Sequence, residues 1–261
     1  VRLLIKLGGS LLETVESRRR LAREIGAARK PVDGKPGAEI VVVHGGGKQL
    51  TRFLSERGIE SRFVNGLRVT GATVLDSVVK VVAGSVNREF VAACVAENVP
   101  GVGISGVDAL LTEVAPLSPD LGFVGRPVRS DARLLEALVS QDFLPVVACV
   151  AADRQGSLYN VNADQMAASC AEAFRADKLL FLTDVDGVRG ADDRILPLLT
   201  VEECRNLIEK GIATGGMQAK LESAISALTG GVPEVLIVPG AEFGAENCNM
   251  PYIKMGTSIV K

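Results

Sequence analysis

Apolar residues recur along this chain with two alternating periods. Short, nearly unbroken apolar runs at 2–7, 39–43, 144–151, 178–183 and 234–238 read as strands buried on both faces. Between them, apolar residues return every three or four positions at 17–28, 48–57, 72–97, 132–140, 163–174, 201–210 and 216–228, which predicts helices. Shorter strands are expected at 101–105, 111–114, 122–128 and 257–260, and a tight hairpin over 62–70 that turns at Asn65-Gly66. Strands alternating with helices argue for an α/β fold whose mostly parallel sheet is covered on both faces. No internal repeat or low-complexity tract interrupts the pattern. A change near 152–156 is the candidate boundary between two lobes, although nothing there reads as a flexible tether.

Composition narrows the picture. With 29 Lys+Arg against 31 Asp+Glu, the net charge of −2 gives no electrostatic reason to expect nucleic acid or an anionic membrane as partner. No apolar run reaches the ~18 residues of a membrane span, and the first residues lack the pattern of a signal peptide. The five cysteines, Cys94, Cys149, Cys170, Cys204 and Cys248, are odd in number and contain no C-x-x-C. That fits a reducing, cytoplasmic setting better than a disulfide framework or a zinc knuckle. His44 is the single histidine, so a multi-histidine metal site is excluded.

The 28 glycines are in excess of the usual ~7% share, and they cluster. Gly8-Gly9, Gly45-Gly46-Gly47 and Gly215-Gly216 each adjoin a predicted strand or open a predicted helix. Glycine there lets backbone N–H groups approach an anion, and the helix N-terminus adds a favourable dipole. Tight turns are the plain alternative for any one cluster. Three of them at strand ends, where open α/β sheets place ligands, favour a phosphate site. Gly101-Val102-Gly103-Ile104-Ser105-Gly106 satisfies the dinucleotide pattern, but it follows a helix end and a proline, so a structural turn is the better reading. Neither a P-loop nor a G-x-S-x-G nucleophile elbow occurs.

Lys6 interrupts an otherwise apolar first strand and is costly to bury without an anionic partner. An edge position, with the ammonium snorkelling to water, is the alternative. Lys220 falls on the expected first turn of helix 216–228, where a cation opposes the helix dipole and makes more sense beside a phosphate. Asp164 opens helix 163–174, either as its cap or as the partner of a lysine.

Taken in order, Lys6-Leu7-Gly8-Gly9-Ser10, Val43-His44-Gly45-Gly46-Gly47, Asn65-Gly66-Leu67-Arg68-Val69-Thr70, Gly122-Phe123-Val124-Gly125, Asn160-Val161-Asn162-Ala163-Asp164 and Thr183-Asp184-Val185-Asp186-Gly187-Val188 resemble the amino-acid kinase family. Gly215-Gly216-Met217-Gln218-Ala219-Lys220 resembles its closing motif, with Gly215 where an aspartate is common. The resemblance spans essentially the whole chain. It implies a three-layer sandwich around an eight-stranded, mainly parallel sheet, with two lobes in one domain. Residues 1–152 would form an N-terminal lobe that binds an acylated amino acid, and 153–261 a C-terminal lobe that binds ATP. It further implies Lys6 and Lys220 as the cations on the moving phosphoryl group, with Asp164 orienting both. Gly46, Gly47, Arg68 and Asn160 match acceptor-binding positions. Gly8 and Gly9 match the loop whose amides meet phosphate, while Asp184, Val185, Asp186, Gly187, Val188 and Arg189, with Ile212, Ala213 and Thr214, match nucleotide-binding stretches.

The Asn-Gly-Leu-Arg-Val-Thr hairpin points, by the same resemblance, to members that use ATP and Mg²⁺ to phosphorylate the side-chain carboxylate of N-acetyl-L-glutamate in arginine biosynthesis. A carboxylate acceptor is already ionised near neutral pH and needs no general base, which suits a chain with one histidine. His44 is then expected as a hydrogen-bonding residue at a strand end. Arg68 has the fork geometry for a substrate carboxylate. The open alternatives are N-succinylglutamate or carrier-bound aminoadipate as acceptor, a non-catalytic sensor on the same fold, and, distantly, a dinucleotide enzyme. The expected assembly is a homodimer through the helix at 72–97. Because the chain enters its first strand at once, without the N-terminal helix of arginine-inhibited relatives, insensitivity to arginine is expected.

Overall fold

A computed structural model describes residues 1–32, 34–64, 66–245 and 256–261. Asn65 and Cys248 therefore lie outside the described residues. The strands are β1 (Arg2–Leu7), β2 (Glu39–His44), β3 (Phe63–Val64), β4 (Leu67–Arg68), β5 (Gly101–Ser105), β6 (Thr112–Pro116), β7 (Val124–Ser130), β8 (Leu144–Ala148), β9 (Val150–Ala152), β10 (Leu158–Val161), β11 (Lys178–Thr183), β12 (Leu198–Thr200), β13 (Glu234–Pro239) and β14 (Thr257–Val260). The helices are α1 (Val15–Ala28), α2 (Gly47–Ser55), α3 (Ala72–Val78), α4 (Asn87–Ala96), α5 (Arg133–Ser140), α6 (Ala163–Ala173), α7 (Val201–Glu209) and α8 (Gly215–Thr229). A π-helical segment, Val79–Val86, joins α3 to α4 without a break, so the long expected helix is present with one wide stretch in its middle.

Eight strands form the central sheet in the order β12-β14-β13-β11-β1-β2-β8-β5. Among the described residues only β13–β14 pairs antiparallel, and every other neighbouring pair is parallel. The inner strands β11, β1 and β2 are apolar almost throughout, because a parallel strand covered on both faces has no solvent side to make polar. Their side chains form the centre of a single core with Phe90, Phe174 and Phe181. Parallel pairing brings the carboxyl ends of these strands to one edge: Leu7 pairs with both His44 and Leu182. Gly8-Gly9, Gly45–Gly47 and Asp184 follow those ends directly, so the loops expected to meet a ligand gather on that edge.

The apolar run at 144–151 is divided between two sheets. Its first part is β8 of the central sheet, and after Cys149 it continues as β9 of a small closed sheet, β10-β7-β6-β9. The segment at 152–156 contributes the turn between β9 and β10. The Asp153 carboxylate accepts from the amides of Gln155 and Ser157, which stiffens that turn. Neither β10 nor β12 stands out in the sequence, since each is only three or four residues long.

Gly101 and Gly103 of the dinucleotide-like pattern sit in β5, an edge strand, with Gly106 in the turn directly after it, and they form no strand-to-helix phosphate loop. At Gly103 a Cβ would overlap the side chains of Asn87 and Arg88, and at Gly101 it would meet Cys94 Cβ at 3.0 Å. The missing side chains let α4 lie close against β5. Gly103→Ala should therefore lower stability by about 1–3 kcal/mol, the usual cost of overpacking. A shift of the urea midpoint at constant m-value is the expected result, and an unshifted midpoint would refute the close approach.

Candidate active site

β1 is a central strand, flanked at Lys6 by Phe181 of β11 and Val43 of β2. The edge position that would let Lys6 reach water is therefore excluded, and the side chain is buried. Its ammonium lies 2.8 Å from Asp164 Oδ1, and that of Lys220 lies 3.1 Å from Asp164 Oδ2. The Lys220 contact is an aligned hydrogen bond, whereas the Lys6 contact is a charge contact without that alignment. All three residues are at most 8% exposed. Lys220 also stands 5.4 Å from the centroid of the Phe181 ring.

Asp164 does not cap α6. Asn162 does, its side chain accepting from the amides of Asp164 and Gln165. The Asp164 side chain is thus free to turn to the lysines from the first turn of the helix. Lys220 lies in the second turn of α8, because that helix begins at Gly215, one residue earlier than the apolar period predicts. Gly215 has φ +54°, a conformation that a side chain would strain and that glycine adopts freely.

Burial alone would raise the Asp164 carboxyl, but the charges of Lys6 and Lys220 outweigh it and hold the pKa below the ordinary value. Burial, assisted by repulsion from Lys6, pushes the Lys220 ammonium down. Two positive charges share one negative one in a dry site, which leaves an unbalanced positive charge facing the crevice.

Arg68 is buried on β4 and also lowered by burial. Its guanidinium donates to Ser61 Oγ, to Thr51 Oγ1 at 2.7 Å and to the Gly47 carbonyl at 3.2 Å, and it stacks 4.7 Å from the Phe63 ring centroid. Every one of these acceptors is neutral, and no carboxylate pairs with it among the described residues. Gly47 joins this group to the first loop: a Cβ on Gly9 would sit 3.3 Å from the Gly47 amide nitrogen, and Gln49 Nε2 donates to the Gly9 carbonyl. Asn160 on β10 donates to Thr70 Oγ1 at 3.1 Å. Thr70, fully buried, and Thr51 and Ser61 went unnoticed in the sequence; Thr70 alone had a signal there, as the last residue of the hairpin motif.

The helices α2 and α8 begin at Gly47 and Gly215, and neither N-terminus is capped by a side chain. Free N–H groups at two helix starts, beside buried lysines, are a setting for anionic oxygen. Asp184 ends the β11 edge. Burial would raise its carboxyl, but its own amide, Ser10, Thr183 and the charge of Lys48 lower it. Val185, Asp186 and Arg189 are exposed in the same loop, where Arg189 pairs with Asp186 and Asp193. Val188 is fully buried and its amide donates to Thr257 Oγ1, and Ala213 is buried too, so neither offers a side chain to a ligand. Ile212 and Thr214 lead into α8.

A cavity of about 460 Å³ lies between the β3–β4 hairpin and α8, lined by Gly66, Leu67, Gln165, Gly215 and Ala219 among others. It adjoins both Asp164 and Lys220 through their chain neighbours. A larger one, about 550 Å³, lies between β7, α6 and α8; it shares Gln165 and Glu222 with the smaller, and Lys6, Asp164 and Lys220 line neither. The smaller cavity is the one bordered by the hairpin that carries Arg68 and by the start of α8. Cys94, Cys149, Cys170 and Cys204 are buried free thiols, with burial pushing Cys94 up to about 12 and the others to about 11, so none is poised as a nucleophile.

Fold and site together describe an α/β protein that gathers buried cations and glycine-bearing loops at one edge of its sheet. The chain belongs to the amino acid kinase family, whose pattern matches residues 1–239. It is 53% identical over 260 residues to an acetylglutamate kinase of Solibacter usitatus, covering all of this chain and 99% of that one. It is 44% identical to an acetylglutamate kinase of Acidobacterium capsulatum, over 90% of each chain. Among solved structures, N-acetylglutamate synthase from Neisseria gonorrhoeae, complexed with coenzyme A and N-acetyl-glutamate, superposes with a TM-score of 0.86 at 28% identity. This chain spans 59% of that synthase's length. Giardia carbamate kinase, at TM-score 0.73 and 18% identity, shares the fold.

His44 ends β2 fully buried, and burial lowers its pKa to about 4. The unfolded chain then binds a proton that the native one refuses, so this contribution to stability is complete above pH ~6.5 and is lost as pH falls towards 4. Over that window the loss should reach about 3 kcal/mol. Urea unfolding of the wild type at pH 7 and pH 4.5 measures it against His44→Gln, which lacks the titrating group. Parallel pH dependences in the two proteins would refute a buried neutral imidazole.

Proposed function

We propose that this protein transfers the γ-phosphoryl group of ATP to the side-chain carboxylate of N-acetyl-L-glutamate, giving N-acetylglutamyl 5-phosphate and ADP, a step of arginine biosynthesis. The observation that carries this reading is the buried Lys6–Asp164–Lys220 group, together with a buried arginine that has only neutral partners among the described residues. The 53% identity with an acetylglutamate kinase along the whole chain supports the choice of acceptor.

In the reaction an acceptor carboxylate oxygen forms a bond to the γ-phosphorus while the bond to the β,γ-bridging oxygen breaks. No proton moves at the acceptor, so the site requires positioning and charge stabilisation and no general base. Lys6 and Lys220 face the charge on the phosphoryl oxygens, Asp164 holding the two ammonium groups near each other. The amides of Gly9, Gly46 and Gly47 donate to phosphoryl and carboxylate oxygens from two adjacent loops, whereas the Gly8 amide is taken by the Leu182 carbonyl at 3.0 Å and holds the first loop in place. Arg68 grips the acceptor's unreactive carboxylate, and Asn160 bonds its amide end. Asp184 to Arg189 and Ile212 to Thr214 form the nucleotide side.

Mg²⁺ arrives with ATP. Among the described residues no trio of His, Cys, Asp or Glu is placed to hold an ion, and Mg²⁺ is commonly bound through substrate phosphates with retained water. When bound it neutralises phosphate charge.

This reading places the protein in the cytoplasm as a homodimer on a three-layer sandwich. Residues 1–152 form the acceptor lobe and 153–261 the ATP lobe. The outer side of the α3–α4 helix, where Val95 is 64% exposed, supports it as the dimer surface.

Hydroxylamine trapping of the acyl phosphate is the direct assay, with turnover expected on N-acetylglutamate and none on free glutamate, whose ammonium would enter a pocket for a neutral amide. Equal turnover of both would sink the proposed acceptor. Lys6→Ala and Lys220→Ala should each lose ~10²–10³ in kcat, as for a missing preorganised donor, and Asp164→Ala should follow them. Arg68→Ala should instead raise the acceptor KM most. A Lys6→Ala enzyme that keeps half its kcat would refute the cation's role.

A further inference from the structure

The proposed mechanism makes no use of the single histidine, yet His44 stands immediately before the Gly45–Gly47 loop and its surroundings are fully specified. Its Nδ1 lies 2.8 Å from the Gly45 carbonyl, and its Nε2 lies 2.9 Å from the Asn87 side-chain nitrogen. Asn87, equally buried, also donates to the Val146 carbonyl at 2.9 Å. The Asn87 carboxamide cannot be turned over, because Arg88 donates to its Oδ1 at 2.7 Å, and the same Arg88 nitrogen donates to the Gly103 carbonyl. The amide nitrogen that faces the imidazole is therefore a donor only, so Nε2 must accept and the proton must reside on Nδ1. Nδ1–H then donates to the Gly45 carbonyl.

The consequence passes along the backbone. A trans peptide is planar, so fixing the direction of the Gly45 carbonyl fixes the Gly46 N–H in the opposite direction. The loop is hemmed on two further sides. A Cβ on Gly46 would meet Val82 and Val86 of the π segment at 3.2 and 3.4 Å, and one on Gly45 would meet Ala163, the first residue of α6, at 3.3 Å. The π segment ends at Val86, and Asn87 is the first residue after it. An i→i+5 turn holds one more residue than an i→i+4 turn, so it changes the face on which everything downstream emerges. Here the first residue downstream is the one facing His44.

We propose that His44 and Asn87 are positioning residues of the phosphoryl-transfer site: Asn87 holds the imidazole as its Nδ1–H tautomer, which pins the Gly45 carbonyl and so aims the Gly46 amide into the crevice. The inference rests on the reaction proposed above, because only there does the direction of one amide matter.

Two measurements test it separately. With one histidine in the chain, a ¹⁵N spectrum of the labelled protein contains a single imidazole, and it should report Nδ1 protonated and Nε2 unprotonated. The opposite tautomer would overturn the relay whatever the kinetics. In the second, His44→Asn places a carboxamide nitrogen where Nδ1 was and keeps the donor to Gly45, whereas His44→Gln places its carboxamide where Nε2 was and loses it. His44→Asn should retain kcat within about threefold, and His44→Gln should lose roughly 10–100-fold, with the KM for MgATP little changed. Equal losses in both variants would reduce His44 to a packing residue and overturn the proposal. Should His44→Gln fail to fold, the wild-type spectrum and His44→Asn still decide. A wild-type protein of the Nδ1–H form without turnover would sink the proposed reaction, and with it the catalytic purpose of the relay, while leaving its geometry standing.

Discussion

One carboxylate buried between two ammonium groups sets the terms for the rest of this structure. Ions removed from water carry a penalty of several kcal/mol each, which mutual attraction offsets only with good geometry and further partners. Asp164 is that partner for both lysines, and the three side chains come from β1, α6 and α8, elements far apart in the chain. The arrangement nonetheless leaves one positive charge more than it neutralises. It is electrostatically complete only when a further anion lies alongside, and Arg68, surrounded by neutral acceptors, presents the same condition on the hairpin side. Both centres are thereby matched to an anionic ligand in a low-dielectric setting, where charge interactions are strongest.

Parallel pairing is what brings these parts together. Because β1, β2 and β11 run in the same direction, their carboxyl ends share one edge, and the loops after Leu7, His44 and Thr183 open onto the same crevice. Glycine in the first two loops permits approach distances that a side chain would obstruct: Gly8 against the Leu182 carbonyl, Gly9 against Gly47, Gly46 against the π segment. Close loops and buried cations depend on each other. Without the loops the lysines would face open solvent, and without the lysines the gathered N–H groups would have weaker hold on a multiply charged phosphate. The His44–Asn87 pair belongs to the same economy of space, since it fixes a carbonyl of the loop without adding a charge to the site.

Much of this was legible in the residues. Nearly unbroken apolar runs marked β1, β2, β11 and β13, and helical periodicity marked α1, α6 and α7 to within a few residues, because burial on two faces or on one stripe leaves a direct imprint on composition. Lys6 was conspicuous as a charge inside such a run, and the glycine clusters as points of close approach. Short strands such as β10 and β12 were not legible, since three or four residues carry too little pattern to separate a strand from a loop. The strands β6 and β7 of the small closed sheet were legible, but not that they leave the central sheet, nor the division of one apolar run between β8 and β9. Asn87 offered only a polar residue on a helical stripe, and the π segment that turns it inward has no local signature.

The sequence by itself determined the alternation of elements, the loops where backbone would have to come close, and the charged residues that would need partners. Those are properties of a residue and its near neighbours, and periodicity and side-chain chemistry report them without a fold. The tertiary structure alone decided that Lys6 lies in the middle of the sheet, that Asn162 caps α6 and releases Asp164 to both lysines, and that Arg68 meets only neutral groups among the described residues. Each of those depends on which distant segments become neighbours, and a buried charge has no meaning for its own segment until the partner or the lack of one is in place. Lys220 lies 56 residues beyond the carboxylate that holds it, and nothing in either segment encodes that meeting except the fold that packs α8 against α6.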